Sequence, residues 1–192
     1  MNRLLLLSAS PRRRELLIRL GLPFDVCPVD VDETPLPGEA PRALAERLAR
    51  AKAAATPDDA RWGIAADTIV ALDGDVFGKP AGPDEAVATL HRLRGRWHEV
   101  ITGVAVHAPG GAIHSAIDRT RVLMRRYSDG EVLEYVAGSD PLDKAGSYAI
   151  QHPGFHPVER IDGRRDTVVG LPLSLVTRLL AEAGWPSRAE RR

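Results

Sequence analysis

Residues 3–13 read RLLLLSASPRR, an apolar run that gives way at once to two serines, a proline and two arginines. The apolar run, 3–7, predicts a short buried strand, and 11–20 predicts a helix. Ser10 then falls at the N-cap, and Pro11 takes the first helical position, where its missing N–H costs nothing. A strand that leads directly into a helix is the first unit of an α/β pattern.

The rest of the chain repeats this alternation. We predict helices at 41–55, 84–93, 128–137 and 171–183, and strands at 63–72, 100–106, 112–124, 147–150 and 158–161. A Pro-Gly-Gly sequence at 109–111 separates the two long strands, which is typical of an antiparallel hairpin. We therefore expect an α/β fold with a mixed sheet. No linker or internal repeat interrupts it, so 1–185 is predicted to be one domain and 186–192 a polar tail.

Charge and cysteine content narrow the class of protein. The 192 residues carry 26 basic and 26 acidic side chains, so no overall field attracts nucleic acid or an anionic membrane, and neither is expected as a partner. The single cysteine, Cys27, excludes an internal disulfide and a multi-cysteine zinc site, and it fits a reducing compartment. The apolar start is too short for an export signal or a membrane span. We therefore expect a cytoplasmic location.

The hydroxyls and arginines at the start of the first helix indicate an anion site. The N–H groups of a helix N-terminus and the positive end of the helix dipole attract anions. Ser8 and Ser10 add hydroxyl donors, and Arg12 and Arg13 add guanidinium groups that bind phosphate with paired hydrogen bonds. The alternative is an ordinary capped helix with a solvated basic first turn. Two positive charges at the positive end of a dipole are unfavourable without an anionic partner, which favours phosphate binding.

A second candidate is Asp67, a carboxylate inside the apolar stretch IAADTIV, residues 64–70. An unpaired charge buried there would cost several kcal/mol, so we expect a compensating cation. Either a lysine or a divalent cation would serve, and Glu33 in the acidic loop 30–33 is the natural second carboxylate for Mg²⁺. The alternatives are that Asp67 caps a loop at the end of a strand and that the acidic loop is a solvated turn.

Lysine is rare in this chain, since 23 of the 26 basic residues are arginine. The lysines are therefore candidates for sites that need a compact ammonium group, and they are Lys52, Lys79 and Lys144. Lys52 follows Leu44 and Leu48 on one helical stripe, so its side chain is predicted to point to the core. For Lys144, which adjoins Asp143, a plain surface ion pair is the alternative.

Four segments, taken together, resemble the Maf family of nucleoside triphosphate pyrophosphatases over about residues 4–173. They are SASPRR at 8–13, ADT at 66–68 with GKP at 78–80, PLDKAGSYAIQ at 141–151 and VVGLPL at 168–173. The resemblance implies an elongated α/β fold similar to that of inosine triphosphatases, with helices on both sides of the sheet and two lobes around a central cleft. It also implies a homodimer and a cytoplasmic enzyme that uses Mg²⁺ or Mn²⁺ to hydrolyse a nucleoside triphosphate to the monophosphate and pyrophosphate.

The resemblance also implies a role for each candidate residue. Asp67 would be the general base or only a metal ligand, and Glu33 would be a further metal ligand. The remaining residues would bind the substrate and neutralise its charge, namely Ser8, Ser10, Arg12, Arg13, Lys52, Lys79 and Lys144. Of these, Lys52 and Lys79 would also act in catalysis, because the pyrophosphate leaving group develops negative charge.

Three positions separate two branches of the family. The branch that acts on dTTP and UTP carries Arg, Thr and Gln there, as this chain does at Arg12, Thr68 and Gln151, whereas the branch that acts on 7-methyl-GTP carries an aromatic residue, Gln and Glu. A glutamine amide both donates and accepts, which suits the O4 and N3–H edge of thymine or uracil. The chain departs from the usual family pattern at His152, where Gly is usual, and at 166–167, where Asp-Thr stands before the first Val in place of the usual Asn.

Other functions stay open on the sequence alone. A nucleotide-binding regulator of cell division would bind a triphosphate without turning it over. A sister enzyme for non-standard purine triphosphates would share the chemistry but not the base pocket. The presence of both carboxylates favours an enzyme, because binding alone does not need Asp67 in an apolar strand. Modified pyrimidine triphosphates are a further candidate for the physiological substrate.

Overall fold

The computed structural model describes residues 3–138 and 140–186. Within this part of the chain the strands are β1 (Leu4–Leu6), β2 (Phe24–Val26), β3 (Gly63–Leu72), β4 (Asp75–Phe77), β5 (Trp97–His107), β6 (Ile113–Met124) and β7 (Val158–Asp162). The helices are α1 (Pro11–Ile18), α2 (Pro41–Ala54), α3 (Pro83–Leu93), α4 (Asp129–Ala137), α5 (Arg165–Val169) and α6 (Leu173–Glu182), and two short 3-10 turns, Asp140–Asp143 and Ala145–Ser147, follow α4. None of these described helices is long and apolar enough to cross a membrane. The predicted tail comprises 186–192, and its residues from 187 on lie outside the described part of the chain.

The strands join one mixed sheet. Their order is β2-β1-β3-β5-β6-β7, with β4 paired to β3. β1 pairs in parallel with β2 and with β3, so that Leu5 lies opposite Asp25 and Leu6 opposite Ile64. β4 is antiparallel to β3, and β7 is antiparallel to β6. The predicted α/β fold with a mixed sheet is confirmed.

The chain divides into two units, each with its own hydrophobic core. The first unit comprises the described residues up to 67, together with 102–118 and those from 170 on, and the second comprises 68–101 and 119–169. A cluster of small and aliphatic side chains from β1, α2, β3 and β5 lies in the first unit, namely Leu5, Leu7, Ala49, Ala53, Ala65 and Ala105. Larger side chains fill the second, among them Leu90, Leu93, Met124, Tyr127, Tyr135 and Phe155.

Most of the predicted elements are confirmed. The strand predicted at 63–72 is β3 over the same residues, and the predicted hairpin is formed by β5 and β6. α4 begins with a capping box, in which Ser128 Oγ accepts the Glu131 N–H and the Glu131 carboxylate accepts the Ser128 N–H. α6 begins at Leu173 because Pro172, with an extended backbone, is its N-cap.

The strand predicted at 147–150 is wrong. Gly146 and Ser147 have left-handed φ angles of 72° and 58° and end a 3-10 turn, and a further turn begins at Ile150, so only Tyr148 and Ala149 lie between the two turns. Glycine is needed at the first position, because a Cβ on Gly146 would stand 2.9 Å from the methyl groups of Val70. Three short elements, β2, β4 and α5, were missed by the sequence reasoning, since three to five residues carry too little periodicity.

α2 lies directly against β5 at Gly103. A Cβ built on Gly103 would meet the Ala45 carbonyl carbon at 2.6 Å and the Glu46 amide nitrogen at 3.0 Å. These are backbone atoms, so no side-chain rotation relieves the clash. The missing side chain at Gly103 therefore sets how closely α2, with Lys52 in its last turn, approaches the sheet.

Gly103→Ala is expected to lower the free energy of unfolding by about 3 kcal/mol, because the helix must shift to admit the methyl group. Gly130→Ala is the matched control, since in the first turn of α4 the nearest atom to an added Cβ is Ser128 Oγ at 3.9 Å. Alanine there should be neutral or stabilise the helix by up to about 1 kcal/mol. Urea unfolding checks both variants, and equal midpoints for Gly103→Ala and wild type would contradict the close approach.

The second unit buries a histidine against a tyrosine. His98 on β5 is 3% exposed, and its Nε2 lies 2.8 Å from the Tyr148 hydroxyl. The two rings meet edge to face at 5.5 Å between centroids. Burial lowers the pKa of His98 from 6.5 to about 4. His98 is therefore neutral at physiological pH in the folded chain, whereas in the unfolded chain it protonates near its ordinary value.

Stability should consequently fall as the solution is acidified from about pH 6.5 toward pH 4. In this window the unfolded chain binds a proton that the folded chain does not, so the free energy of unfolding drops by up to about 1.4 kcal/mol per pH unit. His98→Gln keeps a polar partner for Tyr148 but does not titrate, so its stability should change less with pH. His91→Gln on the surface is the control. Urea unfolding at several pH values measures the slope, and a slope that His98→Gln leaves unchanged would contradict the assignment.

Candidate active site

Lys52 joins two carboxylates. Its Nζ lies 2.5 Å from Asp67 Oδ1 and 2.6 Å from Glu33 Oε1. The side chains of Lys52 and Asp67 are each 10% exposed, whereas that of Glu33 is 51% exposed. The two carboxylates therefore converge on one ammonium group, with Asp67 in the interior of the first unit and Glu33 at its surface.

Helical spacing brings Lys52 to this place. Leu44 and Leu48 lie two turns and one turn before it on α2 and are buried, so Lys52 continues the buried stripe as predicted. Asp67 lies on β3 among buried neighbours. The predicted need for a cation beside Asp67 is confirmed, and in this structure that cation is the ammonium group of Lys52.

Arg47 supports the loop that carries Glu33. From α2, its Nε and Nη2 donate to the Glu39 carboxylate at 2.6 and 2.8 Å, and Nη2 also donates to the Thr34 carbonyl at 3.0 Å. These guanidinium hydrogen bonds lower the pKa of Glu39 to about 2. The acidic loop is exposed, as the solvated-turn interpretation expects. One helix nevertheless supplies both the anchor of the loop and Lys52, the partner of Glu33.

Ser8, Ser10 and Arg13 organise the turn between β1 and α1. Ser10 is the N-cap of α1 as predicted, and its Oγ accepts the Arg13 N–H at 3.4 Å. Ser8 Oγ accepts the Ser10 N–H at 3.2 Å and a hydrogen of Arg13 Nη1 at 3.3 Å. Arg13 Nε donates to the Gly170 carbonyl at 3.0 Å. The guanidinium group of Arg13 is thereby folded back over the turn.

Charges of both signs act on Arg13. Burial lowers the pKa of Arg13, the negative charge of Asp67 raises it, the positive charge of Arg12 lowers it and the negative charge of Glu33 raises it. An arginine keeps its proton in proteins, so Arg13 is a permanent positive charge near the carboxylate pair. An anion at the start of α1 would meet both arginines and the positive end of the helix dipole.

Two lysine-bearing segments meet in the second unit. Lys144 is 8% exposed, and its Nζ lies 2.6 Å from Asp143 Oδ1. The Asp143 side chain is 75% exposed, so of this ion pair only the carboxylate lies at the surface. The Gly146 N–H donates to the Gly78 carbonyl at 3.2 Å. This hydrogen bond ties the segment of Lys144 to the residue that precedes Lys79.

The predicted site residues are divided between the two units. The first unit holds Ser8, Ser10, Arg12, Arg13, Glu33, Lys52 and Asp67, and the hydrogen bonds and charge effects above bring these together. The second holds Thr68, Lys79, Lys144 and Gln151. Thr68 follows Asp67 on β3, and Gln151 is exposed in the irregular segment after the second 3-10 turn.

Two supports of the site escaped the sequence reasoning, Arg47 and the Gly170 carbonyl. Arg47 is one of 23 arginines, and no pattern separates it from the others. Gly170 did carry a signal, since it lies in the segment 168–173 that resembles a known family. Its φ of 113° is a conformation that favours glycine. A glycine at such a place indicates a backbone that another group approaches closely, here the guanidinium group of Arg13.

The carboxylate pair has the chemistry of a divalent-cation site. Magnesium prefers oxygen ligands and takes one or two protein carboxylates, with substrate phosphates and water completing its shell. Glu33 and Asp67 are two such carboxylates, and their oxygens already share one cation, Lys52 Nζ. Within 3–138 and 140–186 no three His, Cys, Asp or Glu side chains are grouped as a metal site. The donor set therefore fits a metal ion that is held jointly by the protein and a phosphate ligand.

Most of the chain is similar in sequence to known proteins. The chain belongs to the Maf family, since the family model "Maf-like protein" matches residues 3–183. Three relatives are each named "dTTP/UTP pyrophosphatase". The one from Geobacter sulfurreducens is 48% identical over 95% of this chain and 97% of its own length. The one from Anaeromyxobacter dehalogenans is 47% identical over 98% of both chains. The one from Myxococcus xanthus is 49% identical over 95% of this chain and 93% of its own length. The family predicted from the four sequence motifs is confirmed.

Two solved structures that match the chain have lower sequence identity than these relatives. A nucleoside-triphosphatase, dITP/XTP pyrophosphatase, from Mycobacterium abscessus is 17% identical, with a TM-score of 0.41 over 65% of this chain and 75% of the other. A HAM1 protein from Coxiella burnetii is 18% identical, with a TM-score of 0.46 over 66% of this chain and 75% of the HAM1 chain.

Lys52→Met is expected to lower the free energy of unfolding by about 3 kcal/mol, because it leaves the Asp67 charge buried without its cation. Adding Asp67→Asn removes that charge, so the double variant should be more stable than Lys52→Met alone. Arg92→Met breaks the exposed pair with Asp75 and is the matched control, expected to cost less than about 1 kcal/mol. Urea unfolding without added metal measures all three. A double variant less stable than Lys52→Met would contradict the buried pair.

Proposed function

We propose that this chain hydrolyses dTTP and UTP to the nucleoside monophosphate and pyrophosphate. The observation that carries the proposal is the carboxylate pair, Glu33 and Asp67, on the buried ammonium group of Lys52. The charges of both carboxylates act on Arg13, which supports a phosphate-binding role for this arginine beside them. Relatives between 47% and 49% identical that carry the name dTTP/UTP pyrophosphatase support the choice of substrate.

The turn between β1 and α1 binds the phosphates in this proposal. The positive end of the α1 dipole attracts an anion, and Arg12 and Arg13 neutralise the charge of that anion. Ser8 and Ser10 hold the turn in shape and have hydroxyl groups that can donate to a phosphate oxygen. A bound triphosphate removes the repulsion between two arginines and the positive end of the helix dipole.

The reaction is an in-line attack of water on the α-phosphorus. Asp67 accepts the proton of the water while the bond from the α-phosphorus to the bridging oxygen breaks and pyrophosphate leaves. Lys52 orients the Asp67 carboxylate through Oδ1. Lys79 and Lys144 add positive charge against the negative charge that develops on the leaving group.

A divalent cation fits the same carboxylates. Glu33 and Asp67 are the residues that would hold Mg²⁺ or Mn²⁺, which supplies a Lewis acid for phosphate oxygens. Lys52 pairs with both carboxylates when no such ion is bound, so neither side chain is left as an isolated negative charge. Metal dependence, the cytoplasmic location and the homodimer implied by the family resemblance stay predictions.

Gln151, Thr68 and Arg12 determine the base preference in this proposal. Gln151 is exposed, so its amide is available to donate to O4 and accept from N3–H of thymine or uracil. A carboxylate in its place would suit a positively charged 7-methylguanine instead. The match of all three positions with the dTTP and UTP branch supports a pyrimidine pocket.

Pyrophosphate release from dTTP, UTP, CTP, 7-methyl-GTP and ITP, with Mg²⁺ or Mn²⁺, tests the proposal. We expect dTTP and UTP to react fastest and the activity to disappear when EDTA removes the metal. Asp67→Asn should lower kcat/KM for dTTP by about a thousandfold, because it removes the proton acceptor. Asp75→Asn changes an exposed carboxylate paired with Arg92 and is the matched control, expected to leave the rates unchanged.

The other outcomes of this panel assign a different function. If wild type binds triphosphates but does not turn them over, the proposed activity is wrong and a nucleotide-binding regulator of cell division is favoured. Fastest turnover of ITP would favour the purine-directed sister enzyme. Faster turnover of a modified pyrimidine triphosphate than of dTTP would make the modified nucleotide the substrate.

A further inference from the structure

The segment that carries Gln151 is a turn fastened to one tyrosine. The His152 N–H donates to the Ala149 carbonyl at 3.4 Å, which places Ile150 and Gln151 at the corner of the turn. The Ala149 N–H donates to the Tyr135 hydroxyl at 3.1 Å, and Tyr135 on α4 is 4% exposed. The first end of the turn is therefore held by a buried side chain.

His152 holds the other end. Its Nδ1 accepts the Gly154 N–H at 3.1 Å and the Phe155 N–H at 2.8 Å. Its ring meets that of Tyr135 edge to face at 4.8 Å between centroids, and Phe155 stacks on the same tyrosine at 4.3 Å. His152, the residue after Gln151, thus contacts both the following loop and Tyr135, the tyrosine that holds Ala149.

Substitutions can separate the hydrogen bonds of His152 from its ring contact with Tyr135. A ring nitrogen accepts hydrogen bonds only when it carries no proton, so Nδ1 is the unprotonated nitrogen of His152. Phenylalanine keeps the edge-to-face contact with Tyr135 and removes the acceptor, whereas glycine removes both. Asparagine has a side-chain oxygen that commonly accepts N–H groups two and three residues ahead, which are those of Gly154 and Phe155.

Loss of these bonds should free the turn without opening the core. His152 is half-buried, and Pro153 and Gly154 beside it are exposed. The bonds of Nδ1 are local, since both donors lie within three residues. Substitution of His152 is therefore expected to change the position of Gln151, its exposed neighbour, more than the stability of the second unit.

We propose that His152 is a positioning residue that holds Gln151 in place to contact the pyrimidine base. The inference rests on the proposed function, in which the Gln151 amide contacts the base. A side chain at the corner of a turn that is held at both ends has less conformational freedom to lose on binding, so its base contacts cost less. His152 acts only through Gln151 and touches neither the base nor the phosphates.

The test compares dTTP with an abasic deoxyribose 5′-triphosphate, which offers the phosphates and sugar but no base. His152→Phe and His152→Gly should each lower kcat/KM for dTTP about tenfold, mainly through KM, and leave the abasic compound unchanged. His152→Asn should restore kcat/KM for dTTP to within about threefold of wild type. His156→Phe alters an exposed histidine four residues away and is the matched control, expected to change neither substrate.

A double-mutant cycle with Gln151→Ala shows whether His152 acts through Gln151. Gln151→Ala should itself reduce the preference for dTTP over the abasic compound. If His152 only positions Gln151, His152→Phe costs nothing further in the Gln151→Ala background. Equal losses for both substrates, additive effects of the two substitutions, or no rescue by His152→Asn would each overturn the inference.

Calorimetry separates failure of this inference from failure of the proposed function. The probes are the non-hydrolysable α,β-imido analogue of dTTP and inorganic tripolyphosphate, which binds without a base. If wild type hydrolyses no triphosphate, the proposed activity is wrong. A loss of about tenfold in affinity for the analogue alone in His152→Phe then still supports positioning of Gln151. Unchanged affinity for the analogue in that variant overturns it.

Discussion

A carboxylate placed inside an apolar strand needs a cation, and the first unit is arranged to supply one. Lys52 meets Asp67 in the interior and Glu33 at the surface, so the two carboxylates share one ammonium group. The buried stripe of α2 aims Lys52 at β3, and Gly103 lets that helix approach the sheet at the distance the contact needs. Arg47, on the same helix, anchors the loop of Glu33. A single helix thus determines the geometry of the carboxylate pair.

The arginines near this carboxylate pair explain why an anion is the expected ligand. The positive charge of Arg12 acts on Arg13 and lowers the pKa of its guanidinium group, a repulsion that an anionic substrate would offset. Ser8 and the Gly170 carbonyl hold the guanidinium group of Arg13 over the first turn of α1. A strand-to-helix turn with this charge is suited to phosphate.

The second unit positions its residues in another way, through irregular backbone. Lys144 and Gln151 lie in segments without regular secondary structure, where glycine, a hydrogen bond to Gly78 and a buried tyrosine replace the ladder of a sheet. Segments of this kind commonly carry binding residues on a rigid scaffold. Their shape depends on a few long-range bonds, and 147–150, which looks like a strand in the sequence, joins a 3-10 turn to a second turn.

Local patterns in the chain are enough to predict the long periodic elements, the cap at Ser10 and the demand for a cation beside Asp67. Those features depend on residues within a few positions of one another, so local periodicity and hydrogen bonding are enough to reveal them. The packed fold is needed to show that the cation is Lys52, that Arg47 and Gly170 support the site, and that the turn of Gln151 is held by Tyr135. These partners lie on separate elements, and which of them meet depends on how the elements pack, a long-range outcome that no local pattern encodes.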